Sequence, residues 1–392
     1  MQKYTPLEYL YIEISNQMGL DKITYSQRIQ WVKDNMDDLE SLQDKAKEPS
    51  CYEAAVIALR DVQAGLPTGA VVRLDAVSSG IQILSVLTNC VTGCKATGAM
   101  DKDTDVRPVA YEEVSSRMQD ILQQELPVEY NKIKECVMQS VYGGKKTARE
   151  TFTPRQLKAF NQACLEVATG AFSLLELFIS SWQTDKEYHA WYLPDGHYCY
   201  VPVIITDTVE IMTEDLGPVS AIVNSMGTKD YSVSLAANIT QSLDAYLARS
   251  VIRHCSYDVE ETTNKLNQAK ELLNNKSFGL GSNLWDITMP LDDMNEWQLI
   301  KMVDRLTTLL EYKPFNVITV HDSFGCSPVN AQRMRKYYNM CLADLANDPE
   351  QGDYCNAILD SIIYQVTGED ASIEVFPLLD KTLILENNYA IN

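Results

Sequence analysis

Two aspartates stand where a chain could aim a carboxylate at a metal. Asp322 lies in Val320-His321-Asp322-Ser323-Phe324-Gly325, directly after the apolar run Phe315-Asn316-Val317-Ile318-Thr319. It therefore falls just past a strand, at the mouth of a tight turn. Asp75 lies far upstream, in Arg73-Leu74-Asp75-Ala76-Val77-Ser78-Ser79-Gly80-Ile81-Gln82. A short strand over residues 70–74 ends at that carboxylate, and Ser78 or Ser79 is placed to cap a following helix. One such carboxylate is ordinary turn chemistry. Two of them, with a lysine–tyrosine helix between them in the chain, are the components of a two-metal nucleotidyl-transfer site.

The elements that must position these groups follow from periodicity. The lysine–tyrosine helix spans about residues 127–142, with Pro127 in its first turn and Gly143-Gly144 as its stop. Lys134, Met138 and Tyr142 step by four along one side. Lys134 and Tyr142 are then about 12 Å apart along the axis, about the reach from a nucleotide's phosphates to its sugar and base. The same pattern fits an amphipathic helix with one exposed lysine and one packed tyrosine. The first 65 residues read as helical, with Ser26 as a cap for the segment beginning at Tyr25. Trp191 to His197 reads as a turn between short strands. Residues 201–238 read as strand-rich and acidic, with Asp207, Glu210, Glu214 and Asp215, and Lys229 their one basic residue. Helix resumes over 238–275, and a helix over 297–312 leads into the strand before His321.

Bulk properties bound the problem. The 392 residues, 45% hydrophobic, are enough for two or three domains or one multi-lobed body. The apolar run 163–182 carries Glu166 and Glu176, costly in lipid, and reads as one buried helix; no membrane association is expected. The first residues lack a signal-peptide apolar core. Ten cysteines without a Cys-x-x-Cys pair, and only four histidines, read as free thiols in a reducing cytosol rather than a zinc site. The net charge of −21 is the reverse of the basic stripe that grips long duplexes. Either the chain does not bind nucleic acid, or its contacts are local and a partner supplies the rest.

Taken together, these pieces resemble the single-subunit RNA polymerases of bacteriophages and mitochondria. Residues 74–82 resemble motif A, Lys134 with Tyr142-Gly143 resembles motif B on the fingers helix, and residues 320–325 resemble motif C. Gly19-Leu20-Asp21-Lys22, Pro194-Asp195-Gly196, residues 238–247 and the terminal Ile384 to Asn392 also have counterparts. The resemblance implies an α+β, helix-rich, right-hand fold of palm and fingers, without the N-terminal domain and thumb. Palm is expected over residues 1–92 and 242–392, the latter with an insertion near 256–312, and fingers over 93–241. It further implies a DNA-directed RNA polymerase using two magnesium ions held by Asp75, Asp322 and the Ala76 carbonyl. Lys134 would hold the triphosphate, and Tyr142 would sense the ribose 2′-hydroxyl. Gly143, Gln241, His321, Tyr111 and Lys145 are further substrate contacts. Ser323, where related DNA polymerases carry glutamate, favours RNA synthesis. A DNA polymerase or primase, or a non-catalytic assembly subunit of a polymerase, remain the alternatives.

Three departures from the family shape the expected partners. No Gly-Arg dipeptide occurs, although relatives grip the nucleic-acid backbone with one. A smaller polymerase subunit is therefore expected to supply that motif with the N-terminal and thumb regions, as in two-subunit phage enzymes. Tyr130 stands where the fingers helix usually has arginine, and Gln241 stands where a family histidine reads the ribose. The promoter-reading segment, about residues 203–234, is acidic, so weak duplex-promoter recognition and a single-stranded DNA-binding or promoter-loading factor are expected. DNA template, RNA product, phage genes and the host bacterial cytoplasm complete the expectation.

Overall fold

Thr5-Pro6-Leu7-Glu8 starts the first helix, Pro6–Met18. Thr5 caps it, Glu8 accepts the Thr5 N–H at 2.8 Å, and Gly19 at φ 101° closes it. The next helix, Tyr25–Asp34, has its capping box between Thr24 and Gln27, so Ser26 sits inside the first turn rather than capping it. Helix Pro49–Gln63 packs on the first helix. The computed structural model describes residues 1–100, 107–124, 128–214, 217–347, 356–371 and 377–392. The helix-rich α+β composition expected from the sequence is what they form.

The strands of the described residues are β1 (Val72–Asp75), β2 (Tyr188–Tyr192), β3 (Tyr198–Pro202), β4 (Ile204–Thr213), β5 (Gly217–Met226), β6 (Ile318–Val320) and β7 (Ser323–Cys326). They make an antiparallel sheet of order β1-β7-β6 and two hairpins, β2-β3 and β4-β5. In the three-stranded sheet Val72 faces Cys326 and Leu74 faces Phe324, all buried, so this face rests on the core. Alternation turns Arg73 and Asp75 to the opposite face, beside Gly325, Ser323, Ile318 and Val320. The last residues take the free edge of β1. Asn392 N–H donates to the Asp75 carbonyl at 2.9 Å, and Asp75 N–H donates to the Asn392 carbonyl at 3.0 Å. The all-buried helix Ser79–Leu87 is locked to the same tail, because the Gln82 amide donates to the carbonyls of Thr97 and Ala390 at 2.9 and 3.1 Å.

Several boundaries differ from the sequence reading. The run 163–182 is not one helix: Pro154–Val167 and Thr169–Ser180 meet at 111°. The second helix must lay Gly170 against residues 88–90, where a Cβ would come within 2.1 Å of Thr88 Oγ1. No single helix among the described residues is long and apolar enough to cross a membrane. The lysine helix runs Tyr130–Ser140, and Pro127 lies outside the described residues, as does Asp215. Residues 238–275 form two helices, Ser234–Cys255 and Val259–Asn274, the second capped by Asp258.

A buried polar cluster joins Ser234–Cys255, Glu296–Leu310 and Pro328–Asp344. His254 Nδ1 donates to the Ser250 carbonyl at 2.7 Å, and Nε2 accepts from Arg305, which also forks onto Asp344 at 2.8 and 3.1 Å. Both ring nitrogens are thus committed with the imidazole neutral. Burial, and then Arg305, depress its pKa from 6.5 to about 4. The folded value lies below the unfolded one, so the stabilisation is full above about pH 6.5 and is lost as pH falls towards 4. Chemical denaturation between pH 7 and 4 is expected to show a loss of roughly 2–3 kcal/mol from this residue. His254→Gln should flatten that slope.

Candidate active site

The site is built where two distant turns meet. β1 ends at Asp75, and Ser78 enters the left-handed region at φ 52° so that the helix can begin at Ser79. Ser78 occupies the cap position but makes no side-chain cap bond. On the other strand pair, Val320 faces Ser323, leaving His321-Asp322 as a two-residue turn with His321 at φ 54°. Histidine tolerates that region better than branched residues do. Ala76 N–H donates to the Asp322 carbonyl at 3.0 Å, fixing one turn to the other. Asp75 and Asp322, 247 positions apart in the chain (322 − 75), therefore emerge side by side.

The lysine helix supplies the facing wall. A Cβ on Gly80 would lie 2.6 Å from Val141 Cγ1, so only glycine lets the end of that segment approach the helix after β1. Tyr142 is then carried in the turn past Ser140 rather than on the regular helix, with Gly143 at φ 79° curling the chain away. Lys134, Tyr142, Tyr111, Gln241, His321, Asp75, Ala76 and Asp322 all line one cavity of about 1210 Å³. The Lys134 ammonium sits 5.9 Å from the Tyr111 ring centre. It has no carboxylate within 4 Å among the described residues, whereas three of the other cavity cations, Lys22, Arg73 and Arg249, are paired with Asp21, Glu13 and Asp195. Lys145 does not reach this cavity. It bonds to Glu176 at 3.1 Å and lines a separate pocket of about 380 Å³. Gly143 lies behind Tyr142, close to Val233.

Electrostatics set this cavity apart. Burial raises the Asp322 carboxyl above its ordinary range and Asp75 adds to it, against Ser79 and His321. Asp244, from the helix Ser234–Cys255, is pushed up to about 6 by burial and then by Asp322. Burial, then Asp244 and Asp322, push the Tyr142 phenol up to about 12. Crowded, partly desolvated carboxylates of this kind favour a bound cation. The donor chemistry fits a hard divalent ion: carboxylate and carbonyl oxygen only from Asp75, Asp322 and Ala76. Among the described residues no three His, Cys, Asp or Glu side chains come together as a complete metal cage, here or elsewhere. That leaves coordination positions for substrate and water, as Mg²⁺ usually requires.

Sequence reading passed over four participants. Asp244 follows Gln241 by three residues, one helical step on the same face, which was a usable signal. Arg107 lines the cavity and donates to Asn392 Oδ1 at 3.0 Å, a contact no local pattern announces. Arg249 and Arg253 clamp Asp195 of the Pro-Asp-Gly turn at 2.7 and 2.9 Å, and so anchor the helix that carries Gln241 and Asp244. Tyr130 also lines the cavity, its buried hydroxyl without a hydrogen-bond partner among the described residues.

Residues 3–193 match the family model described as DNA-dependent RNA polymerase, a span that includes Asp75, Lys134 and Tyr142. No curated protein matches the chain.

Proposed function

We propose, for a chain that belongs through residues 3–193 to the DNA-dependent RNA polymerase family, that it is the catalytic subunit of a two-subunit enzyme. Its activity as a DNA-directed RNA polymerase follows from that membership. The observation that carries the finer reading is the convergence of Asp75 and Asp322 beside Lys134 and Tyr142 in one cavity. In this reading residues 1–92 and 242–392 form a palm and 93–241 the fingers. The subunit transcribes phage genes in a bacterial cytoplasm.

Asp75, Asp322 and the Ala76 carbonyl would hold two magnesium ions, which supply charge neutralisation at the attacking hydroxyl and the departing pyrophosphate. The chain's own residues do the rest. Lys134, a cavity cation with no carboxylate within 4 Å among the described residues, binds the triphosphate and is suited to give a proton to the leaving pyrophosphate. Tyr142, with its phenol kept protonated by burial, is a hydrogen-bond donor for the sugar. Tyr111 shields Lys134 from one side, Gln241 offers both a donor and an acceptor near the primer end, and His321 steadies the Asp322 turn.

A smaller, basic partner subunit fits two features: the absence of any Gly-Arg dipeptide and the net charge of −21. It would bring the arginine motif and cationic surface that template and product require. The acidic β4-β5 hairpin falls in the segment that reads promoters in relatives. The two-subunit enzyme alone should therefore bind promoter duplexes weakly and depend on a single-stranded template or a loading factor.

Sugar selectivity tests the assignment of the site. Tyr142→Phe should lower the preference for ribonucleotides over deoxyribonucleotides by about 10–100-fold, the worth of one buried hydrogen bond, with ribonucleotide kcat changed little. A variant that keeps full selectivity would remove Tyr142 from the sugar site. A wild type that prefers deoxyribonucleotides would make the enzyme a DNA polymerase.

A further inference from the structure

The ribbon β4-β5 is ten residues long on each strand, and none of its described residues is buried. Its base is fixed: Val203 N–H donates to the Glu187 carbonyl and Gly227 N–H to the Val203 carbonyl. Beyond that base both faces stand in solvent. A two-stranded ribbon is marginal in water unless something covers it.

The two faces are not alike. Directly paired residues share a face, so the register puts Ile205, Val209, Ile211, Val219, Ala221 and Val223 together. Asp207 lies among them, and no other charged residue does. The opposite face also exposes Ile204, Met212, Ile222 and Met226, but it breaks them up with the Thr206–Asn224 pair, hydrogen-bonded at 2.8 Å, and with Thr208, Glu210, Ser220 and Pro218. The first face has the composition of one packed on a core, yet none of its residues is buried by another element among the described residues. Such contiguous exposed apolar area marks an interaction site.

Charge decides the class of occupant. Residues 187–228 contain no lysine or arginine, and Lys186 and Lys229 only bracket them. A surface without cations cannot anchor phosphates, which dominate affinity for nucleic acid. Asp207, Glu210 and Glu214 instead present negative charge along and beside the apolar stripe.

We propose that the Ile205–Val209–Val223 face of this ribbon is a protein-docking surface for a lysine- and arginine-bearing partner with a matching apolar patch, not a reader of duplex DNA. The identification of that partner with the smaller polymerase subunit rests on the polymerase reading; the surface does not. Apolar contact would supply the affinity and the acidic fringe the orientation, so binding weakens with salt but is not abolished by it.

Hydrogen exchange on the polymerase complex, purified through a tag on this chain, tests it. Amides of 204–213 and 217–226 should exchange at least about 100-fold more slowly in the complex than in the chain alone. Val209→Lys with Val223→Lys should weaken the partner by about 100-fold or more, while Met212→Lys with Ile222→Lys on the other face should leave it unchanged. Equal exchange in both samples overturns the proposal. So does protection conferred by a promoter duplex and not by the protein, or equal loss from both double variants. An active complex indifferent to Val209→Lys/Val223→Lys refutes the docking surface and leaves the polymerase. A complex docked at the ribbon that incorporates no nucleotide does the reverse.

Discussion

Asp322→Asn should abolish ribonucleotide incorporation, by at least about 10³-fold or some 4 kcal/mol of transition-state stabilisation, without lowering thermal stability. The two halves of that result have one cause. Asp322 is held in a turn whose carbonyl is tied to Ala76 N–H, where burial first and the neighbouring Asp75 after it raise its pKa. An amide keeps the turn, since asparagine suits it as well as aspartate. It also removes one of two like charges and half the carboxylate donors for a divalent ion. Activity should therefore fall while Tm holds or rises slightly, measured on the same preparation by primer extension and calorimetry. Parallel loss of both would mean that Asp322 acts only as a structural turn residue.

The opposite signature is expected of Arg28→Leu. Arg28 is fully buried and sends its fork to the Ile23 carbonyl at 3.0 Å, Asn16 Oδ1 at 2.9 Å, the Asp21 carbonyl at 2.8 Å and Asn392 Oδ1 at 2.7 Å. None of these is a carboxylate, so the cation is held by dipoles and by the Tyr25 ring at 5.0 Å. Leucine would leave four acceptors without this donor and release Asn392 from one of its two arginines. The cost should be about 3–5 kcal/mol, on the order of 5 °C in Tm for a chain of this size. Because Asn392 brackets Asp75 through both backbone groups, incorporation should fall with stability. Lysine at 28 should rescue little, having one point charge where a planar fork is needed.

Legibility in the sequence followed the range of the forces involved. The place of Asp75 and Asp322 at strand ends could be read because strand and turn are local signals. The hairpin around Pro194-Asp195-Gly196 was readable for the same reason. The end of the lysine helix was misread by two residues because Gly143 takes the left-handed conformation and unwinds the chain ahead of it. The break at Ala168 was hidden because hydrophobicity is continuous across it; the bend sets Gly170 against Thr88, some eighty positions away, where no larger residue fits. Lys145 was expected as a substrate contact from its place after the motif; it lines a separate pocket and pairs with Glu176, which is remote in sequence. Asp244 and Arg107 matter through Asp322 and Asn392, which only the folded chain brings near.

The proposed function puts the nucleotidyl-transfer site of a split RNA polymerase on this chain. Its most direct test is extension of a primed single-stranded DNA template with ribonucleoside triphosphates by the tagged, co-purified complex, titrated with magnesium. The expected result is template-directed extension that requires magnesium and disappears with Asp75→Asn or Asp322→Asn. A stable complex that leaves the primer unextended at every magnesium concentration, or extension that survives both substitutions, would contradict it.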